Sequence, residues 1–430
     1  MSRMVWSVAA LLLAGGIAAA PKAVAEDRSS ADSETAEAVR QLLRQVSELQ
    51  QKVAALEARQ AGPPAAEAPA ATTRKAESEA DPNPSELAAF QENHEVRGIR
   101  WRGFGEVNYK VLDQRAPEFG DSGFVPGSAG NFYTGDFDLF LTSKISDKTS
   151  VLAEIVVGEG DAQSFAVNVA RALLKYDYSD YLRISAGRYH TGIGYYNAAF
   201  HSGKWLQTTA DRPLVMEFAD DGGLLPTQAL GLSLTGQIPS GSLGLNYIAE
   251  YGSSDTLRPD IDGVSSIDEN NGNHINLGFF LRPQFAPGLQ IGTSYYHDRV
   301  SDFLKGSSVR LGQTIVNGHI VYAGHGLELL NEAFLMRETY EHGGLIFNMP
   351  AFYTQVSKAI GKVRPYFRYQ YANLNGNSLY HGDVLLRQGA SFGLRYEFNE
   401  SVALKTQLDH TIRRNQPNLN GLQVQLAFAF

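Results

Sequence analysis

The densest set of reactive side chains lies in a 36-residue stretch from Thr191 to Pro226, which holds His201, Lys204, Arg212, Glu217, Asp220 and Asp221. Folded inward, bases in one part and acids in another would set a transverse field across the space the stretch crosses. Other chemistry finds little footing there. His201 and Ser202 are sequence neighbours with no third group to orient them, so no catalytic residue of a hydrolase is indicated. His190 and His201 with Asp220 and Asp221 are scattered loop residues of the kind that is usually only solvated, and no metal is expected. Cysteine is absent, which removes disulfides, thiol nucleophiles and thiolate metal sites. No glycine-rich phosphate cradle follows a strand and opens a helix, and no cofactor is expected.

A second set of charges is spread over the segments on either side. Arg100, Arg102, Arg183, Arg364, Arg368 and Arg395, with Lys175 and Lys405, occupy the polar side of segments that alternate with period two, the mark of strands. Glu106, Asp136, Asp138, Glu154, Glu397 and Asp409 fall on the same faces. Two outcomes stay open: a basic path for anions, or ion-pair ladders that brace the strands.

The elements that position these groups follow from the alternation. Trp101, Val107, Tyr109 and Val111 oppose Arg100, Arg102, Glu106, Asn108 and Lys110; Ile275, Leu277, Phe279 and Leu281 oppose His274, Asn276 and Arg282; Phe367, Tyr369 and Tyr371 oppose Arg364, Arg368 and Gln370. Charges opposite aliphatics on strand after strand predict an apolar outside and a wet inside. The last strand, Leu422 to Phe430, has the same pattern and ends on an aromatic residue. Short turns such as Ser146 to Lys148, Ser179-Asp180 and Pro283 to Gly288 alternate with long polar stretches at 113–133, 191–226, 253–272, 299–312 and 372–387. That asymmetry is characteristic of a transmembrane antiparallel β-barrel. Strands are expected to start near 99, 135, 150, 165, 181, 227, 242, 273, 288, 313, 327, 350, 363, 388, 402 and 421, about sixteen in all, although eighteen would also fit. The alternation breaks at 165–178, 181–190 and 327–340, which predicts a bulge or a slipped register in each. Barrels of about 16 to 18 strands leave an aqueous channel.

The amino-terminal part divides into three pieces. Residues 1–25, with Arg3, an apolar run and Ala23-Val24-Ala25, read as a secretory signal. In residues 26–60, Val39, Leu42, Val46, Leu49, Val53 and Leu56 form an a/d seam, a short coiled-coil helix that needs other helices to bury it. Residues 61–97 are a Pro/Ala-rich linker, and the barrel occupies 98–430. With 37 Lys and Arg against 46 Asp and Glu and no basic patch, nucleic acid is not an expected partner.

The combination of signal, short coil, Pro/Ala linker and barrel, with Leu182-Arg183-Ile184-Ser185-Ala186-Gly187-Arg188-Tyr189 before a long insert and the strand Arg364-Pro365-Tyr366-Phe367-Arg368-Tyr369, resembles the phosphate-selective porin O/P-like family. The resemblance implies a homotrimer of sixteen-stranded barrels in the bacterial outer membrane, an inward-folded loop that narrows the pore, and arginines and lysines that guide anions. It also implies that Phe430 is presented to the barrel-assembly machinery. Passive diffusion of small hydrophilic solutes is the leading expectation. Alternatives are a tether that reaches the cell wall through the coil, and a carbohydrate-type porin with Tyr195-Tyr196 and Tyr295-Tyr296 as a sugar slide.

Overall fold

The computed structural model of the chain describes residues 94–96, 98–113, 131–159, 165–200, 203–217, 225–253, 256–257, 264–265, 272–302, 309–341, 343–376, 378 and 385–430. The chain divides into units 1–76 and 77–430, and all described residues belong to the second. The expected signal segment, the seam from Val39 to Leu56 and most of the linker lie outside the described residues.

Sixteen long strands build the second unit. They are β1 Ile99–Leu112, β2 Asn131–Lys144, β3 Thr149–Glu159, β4 Phe165–Ser179, β5 Leu182–His190, β6 Gln228–Ile238, β7 Leu245–Ser253 and β8 Asn273–Leu281. There follow β9 Leu289–Asp302, β10 Val309–Gly324, β11 Leu327–Tyr340, β12 Ile346–Lys358, β13 Val363–Asn373, β14 Leu386–Asn399, β15 Val402–Arg413 and β16 Leu419–Ala429. Each pairs antiparallel with the next, and β16 pairs with β1, so the sheet closes into a barrel. Three short pieces, His94–Val96, Thr256–Leu257 and Val264–Ser265, add to strand ends. Every strand begins within four residues of the start expected from the sequence.

Alternation sorts the side chains as anticipated. On β8, Ile275, Leu277 and Phe279 point outward and are exposed, whereas His274 and Asn276 point inward and are buried. Connections at one end are short, among them 180–181, 325–326 and 400–401; at the other they include 113–130, 191–227, 254–272 and 374–385. We call these the short-turn and long-loop ends. The long polar stretch expected at 299–312 shrinks to 303–308, because β9 and β10 continue their pairing to Asp302 and Val309. At 325–326 the two-residue hairpin turns through His325 (φ 51°) and Gly326 (φ 71°), the doubly left-handed geometry that matches strand twist. The barrel closes where β16 meets β1: the tip of the Phe430 ring sits against Gly103, where a Cβ would come within 2.1 Å of its Cζ.

Register shifts occur between β3 and β4 at Glu154/Ile155 and between β4 and β5 at Asp177/Ser179, each with the extra residue on β4 as expected for 165–178, whereas β5 itself pairs without interruption with β6 and the slip expected at 181–190 is not found. The bulge or slip expected at 327–340 is not found: β11 pairs without interruption on both sides. Its pattern breaks for another reason. Leu330, Phe334 and Met336 face inward among Glu328, Glu332 and Glu338, so apolar side chains stand on both faces of the strand and the alternation is blurred. What they pack against also corrects the uniformly wet interior. Ile193, Tyr196, Phe200 and Met216 of the 191–227 insert form a dry core with Tyr296, Ile315, Leu330, Phe334, Met349 and Tyr353 of β9 to β12.

Candidate functional site

The insert lies inside the barrel, because the strand groups it bonds are those of the inward faces. It carries helix α1, Tyr195–Phe200, and two short 3-10 turns at Lys204–Leu206 and Leu214–Met216. Its two ends are tied together by Asn197, whose amide donates to the carbonyls of Thr191 (2.8 Å) and Thr227 (2.9 Å).

Acids seat the first half. Glu250 on β7 accepts the Gly192 N–H at 3.0 Å and is also held by Asn276. Glu332 on β11 accepts the N–H groups of Tyr195 (2.7 Å) and Tyr196 (2.8 Å), the open donors at the start of α1, and the Tyr353 hydroxyl. Asp138 on β2 accepts the Gly203 N–H at 2.6 Å.

Bases seat the second half. Arg368 on β13 donates to the Thr209 hydroxyl (3.1 Å), to the Asp211 carbonyl (2.9 Å) and to the Asp211 carboxylate. Arg395 on β14 donates to the carbonyls of Trp205 (2.6 Å) and Gln207 (2.8 Å). Lys405 on β15 reaches the carbonyls of Lys204 (2.5 Å) and Thr209 (2.9 Å). Gln407 and Gln425 complete the seat at Asp211 and Ala210. The Trp205 ring stacks on Phe104, with Arg102 and Arg395 over its face at 5.5 and 5.6 Å. Burial would raise the Asp211 carboxyl, but Arg368 and Gln407 outweigh it and hold the group below its ordinary value.

The residues singled out in the sequence are thus divided. Arg368, Arg395 and Lys405 are buried beneath the insert. Lys204 and Glu217 are half-buried on the insert and Arg212 is buried; His201, Asp220 and Asp221 lie outside the described residues. Ion pairs between strands include Glu154 with Arg171 at 2.5 Å and Arg183 with Asp177 at 3.8 Å, and the His190 ring lies 3.4 Å from Glu154; Arg395 and Glu397, 3.3 Å apart, are two positions apart on β14 itself. Tyr195, Tyr196 and Tyr296 are in or beside the dry core and Tyr295 faces outward, so these four do not form a row along the lumen.

Along the barrel axis the inward charges are not mixed evenly. Arg100, Arg102, Lys175, Arg183, Arg364, Arg395 and Lys405 all fall within the first five strand positions from the short-turn end. Lys144 is at the same level, and Arg282, on the polar face with His274 and Asn276 as the alternation predicts, follows directly on β8 and donates to Gln290 at 2.8 Å. The acids on the strands there are Asp177, Glu328 and Glu397, and the turn acids Asp147 and Asp180 lie 3.7 Å from Lys144 and Arg183. Higher up the balance reverses. Glu106, Asp136, Asp138, Glu154, Glu250, Asp298, Glu332, Glu338 and Asp409 face inward with Lys110, Arg171, Arg368, Arg387 and Arg413.

No protein-family model matches the sequence, and no curated protein matches it. Solved structures do. The chain is similar to an anion-selective porin from Comamonas acidovorans at 12% identity, over 79% of this chain and 100% of that one, with a TM-score of 0.53. It is similar to Salmonella typhi OmpF, solved in complex with daunomycin, at 12% identity over 79% and 100%, with a TM-score of 0.52. The outer-membrane channel DcaP of Acinetobacter baumannii aligns at 10% identity over 78% and 99%, with a TM-score of 0.51. At such identities the likeness is one of fold: the chain has the architecture of the outer-membrane porins.

Proposed function

We propose that the protein is an outer-membrane porin, a channel for passive diffusion of small hydrophilic solutes and ions, in which the insert forms the constriction. The observation that carries this reading is the insert itself, folded inside a closed barrel and hung from inward-facing acids and bases on both sides. A sheet that served only as an anchor would need neither an ionised inner face nor a 37-residue segment, 191–227, crossing it. The apolar outer face and the short-turn, long-loop asymmetry support residence in the bacterial outer membrane with the long loops outside. Anion or phosphate preference, a homotrimer, and a periplasmic coil continuous with the linker belong to the same proposal, and the anion-selective porin with the same fold is consistent with it.

The test is single-channel recording in planar bilayers, on the full chain and on a form lacking residues 26–97. A porin conducts in both forms, and an anion-preferring one shifts its reversal potential accordingly under a salt gradient and is blocked by added phosphate. Folded protein without conductance would remove the channel reading and favour an anchor that reaches the cell wall.

A further inference from the structure

We propose that the channel rectifies, because its basic and acidic inward charges are stacked in series along the axis. The inference rests on the channel reading above and adds a direction to it. In the first five positions from the short-turn end, counting Arg282 just past β8 and the turn acids Asp147 and Asp180 that pair with Lys144 and Arg183, nine bases face five acids among the described residues; beyond them, five bases face nine acids. Ion pairs inside either band cancel in both counts, so the net polarity survives them. The insert lies at the boundary, with Lys204 and Trp205 against the basic band and Asp211 beside Asp409 and Arg368 above it.

A wall of fixed positive charge fills with mobile anions, and a wall of fixed negative charge fills with cations. With the long-loop side positive, cations enter through the acidic mouth and anions through the basic mouth. Both streams run toward the boundary, and the pore fills with carriers. The opposite polarity drains both species away from the boundary and leaves it depleted. The permeating class is small inorganic ions, with anions admitted chiefly from the short-turn side. The key bases are Lys175, Arg282 and Arg364, three half-buried side chains on three separated parts of the wall. On the acidic side the corresponding groups are Asp136 and Asp409, also half-buried.

The test is the current–voltage curve of the full chain, single channels, in symmetric potassium chloride. Because the chain has no cysteine, Gln416→Cys in the exposed 414–418 loop can be labelled from one side with a membrane-impermeant thiol reagent to fix orientation. We expect roughly a twofold or larger current ratio at about 0.1 M salt, higher with the long-loop side positive, fading toward unity at about 1 M, where the screening length falls to ~3 Å. Combining Lys175→Gln, Arg282→Gln and Arg364→Gln should bring the ratio toward unity and lower anion permeability. Should that variant fail to fold, Asp136→Asn with Asp409→Asn must flatten the curve from the other half while raising anion permeability. A linear curve at low salt, or rectification of the opposite sign, overturns the proposal and leaves the channel standing. Absence of any current overturns the channel reading and the proposal with it.

Discussion

The two halves of the insert are seated by different physics. Residues 192–200 enter an apolar pocket made by β9 to β12, and their bonds to the wall include the backbone N–H groups of Gly192, given to Glu250, and of Tyr195 and Tyr196, given to Glu332. In residues 203–212, Trp205 and Leu206 rest on Phe104 and Phe140 and the Gly203 N–H goes to Asp138, but the carbonyls of Lys204, Trp205, Gln207, Thr209 and Asp211 are taken by Arg368, Arg395 and Lys405. Burial of apolar area tolerates small displacements, whereas a charge removed from water is stable only with its partners in place. The first half should therefore yield gradually to perturbation and the second abruptly. The comparison also gives both signs a use at the insert: Glu250, Glu332 and Asp138 take its N–H groups, and Arg368, Arg395 and Lys405 take its carbonyls.

The sharpest way to break the comparison is Arg368→Met. It leaves the Asp211 carbonyl without its Arg368 donor and the Asp211 carboxylate with Gln407 alone, a loss of about 3–5 kcal/mol on the scale of a broken buried charged pair. Hydrogen exchange by mass spectrometry should show protection of 203–212 falling by two to three orders of magnitude, at about 1.4 kcal/mol per decade. Protection of 195–200 should stay nearly as it was. If both segments lose protection together, the insert is one cooperative unit and the distinction drawn above is wrong.

The reciprocal variant is Phe334→Ala, which opens a cavity under α1 and should cost about 3–4 kcal/mol, less if the pocket collapses. The exchange pattern should be the mirror image, with 195–200 losing protection and 203–212 keeping it. Conductance in bilayers should grow noisier without a change of selectivity. A smaller step on the same side is Glu332→Gln. It keeps one acceptor oxygen but loses the charge that faces the amino end of α1 and turns an NH2 toward one of its donors, about 1–2 kcal/mol in all. Exchange at Tyr195 and Tyr196 should quicken about tenfold, and unchanged exchange would show that the apolar pocket alone seats the helix.

Much of this arrangement was readable in advance, and what escaped did so for identifiable reasons. Strand faces could be assigned because lipid and lumen impose opposite demands on neighbours such as Ile275 and His274, a contrast that survives in one dimension. The insert announced itself by length. Its seat did not. Arg368, Arg395 and Lys405 look in sequence like any inward base, and their partners are backbone carbonyls, which no residue type marks. β11 misled for a related reason: Leu330, Phe334 and Met336 blur its alternation because their neighbour is another part of the chain instead of water. Arg282 was legible as a polar-face residue because it shares the parity of His274 and Asn276, although the strand itself ends one residue earlier at Leu281. The axial sorting of charge was present in the residue numbers, but only once each strand's direction and turn end were fixed.

The smallest expected effect concerns acid. Arg368 and Gln407, with Lys110 further off, hold the Asp211 carboxyl below its ordinary value against the opposing influence of burial, and Asp409 faces it across Gln407. A group whose folded value is depressed stabilises the fold above its unfolded value, about 3.9 for an aspartate, and that contribution disappears as pH falls through the folded value. Protection of 203–212 should hence be level from neutral pH down to about pH 4.5 and decline below it. Other carboxylates also protonate in that range, so the informative quantity is the difference from Asp211→Asn. That variant should be weaker at neutral pH, by about 1–2 kcal/mol for the lost charge-assisted bond, and should converge on the unaltered protein near pH 2.5. Parallel curves for the two proteins would mean that the Arg368 bonds to the Asp211 carbonyl and Thr209 hydroxyl, and not the carboxylate, are what hold the second half in place.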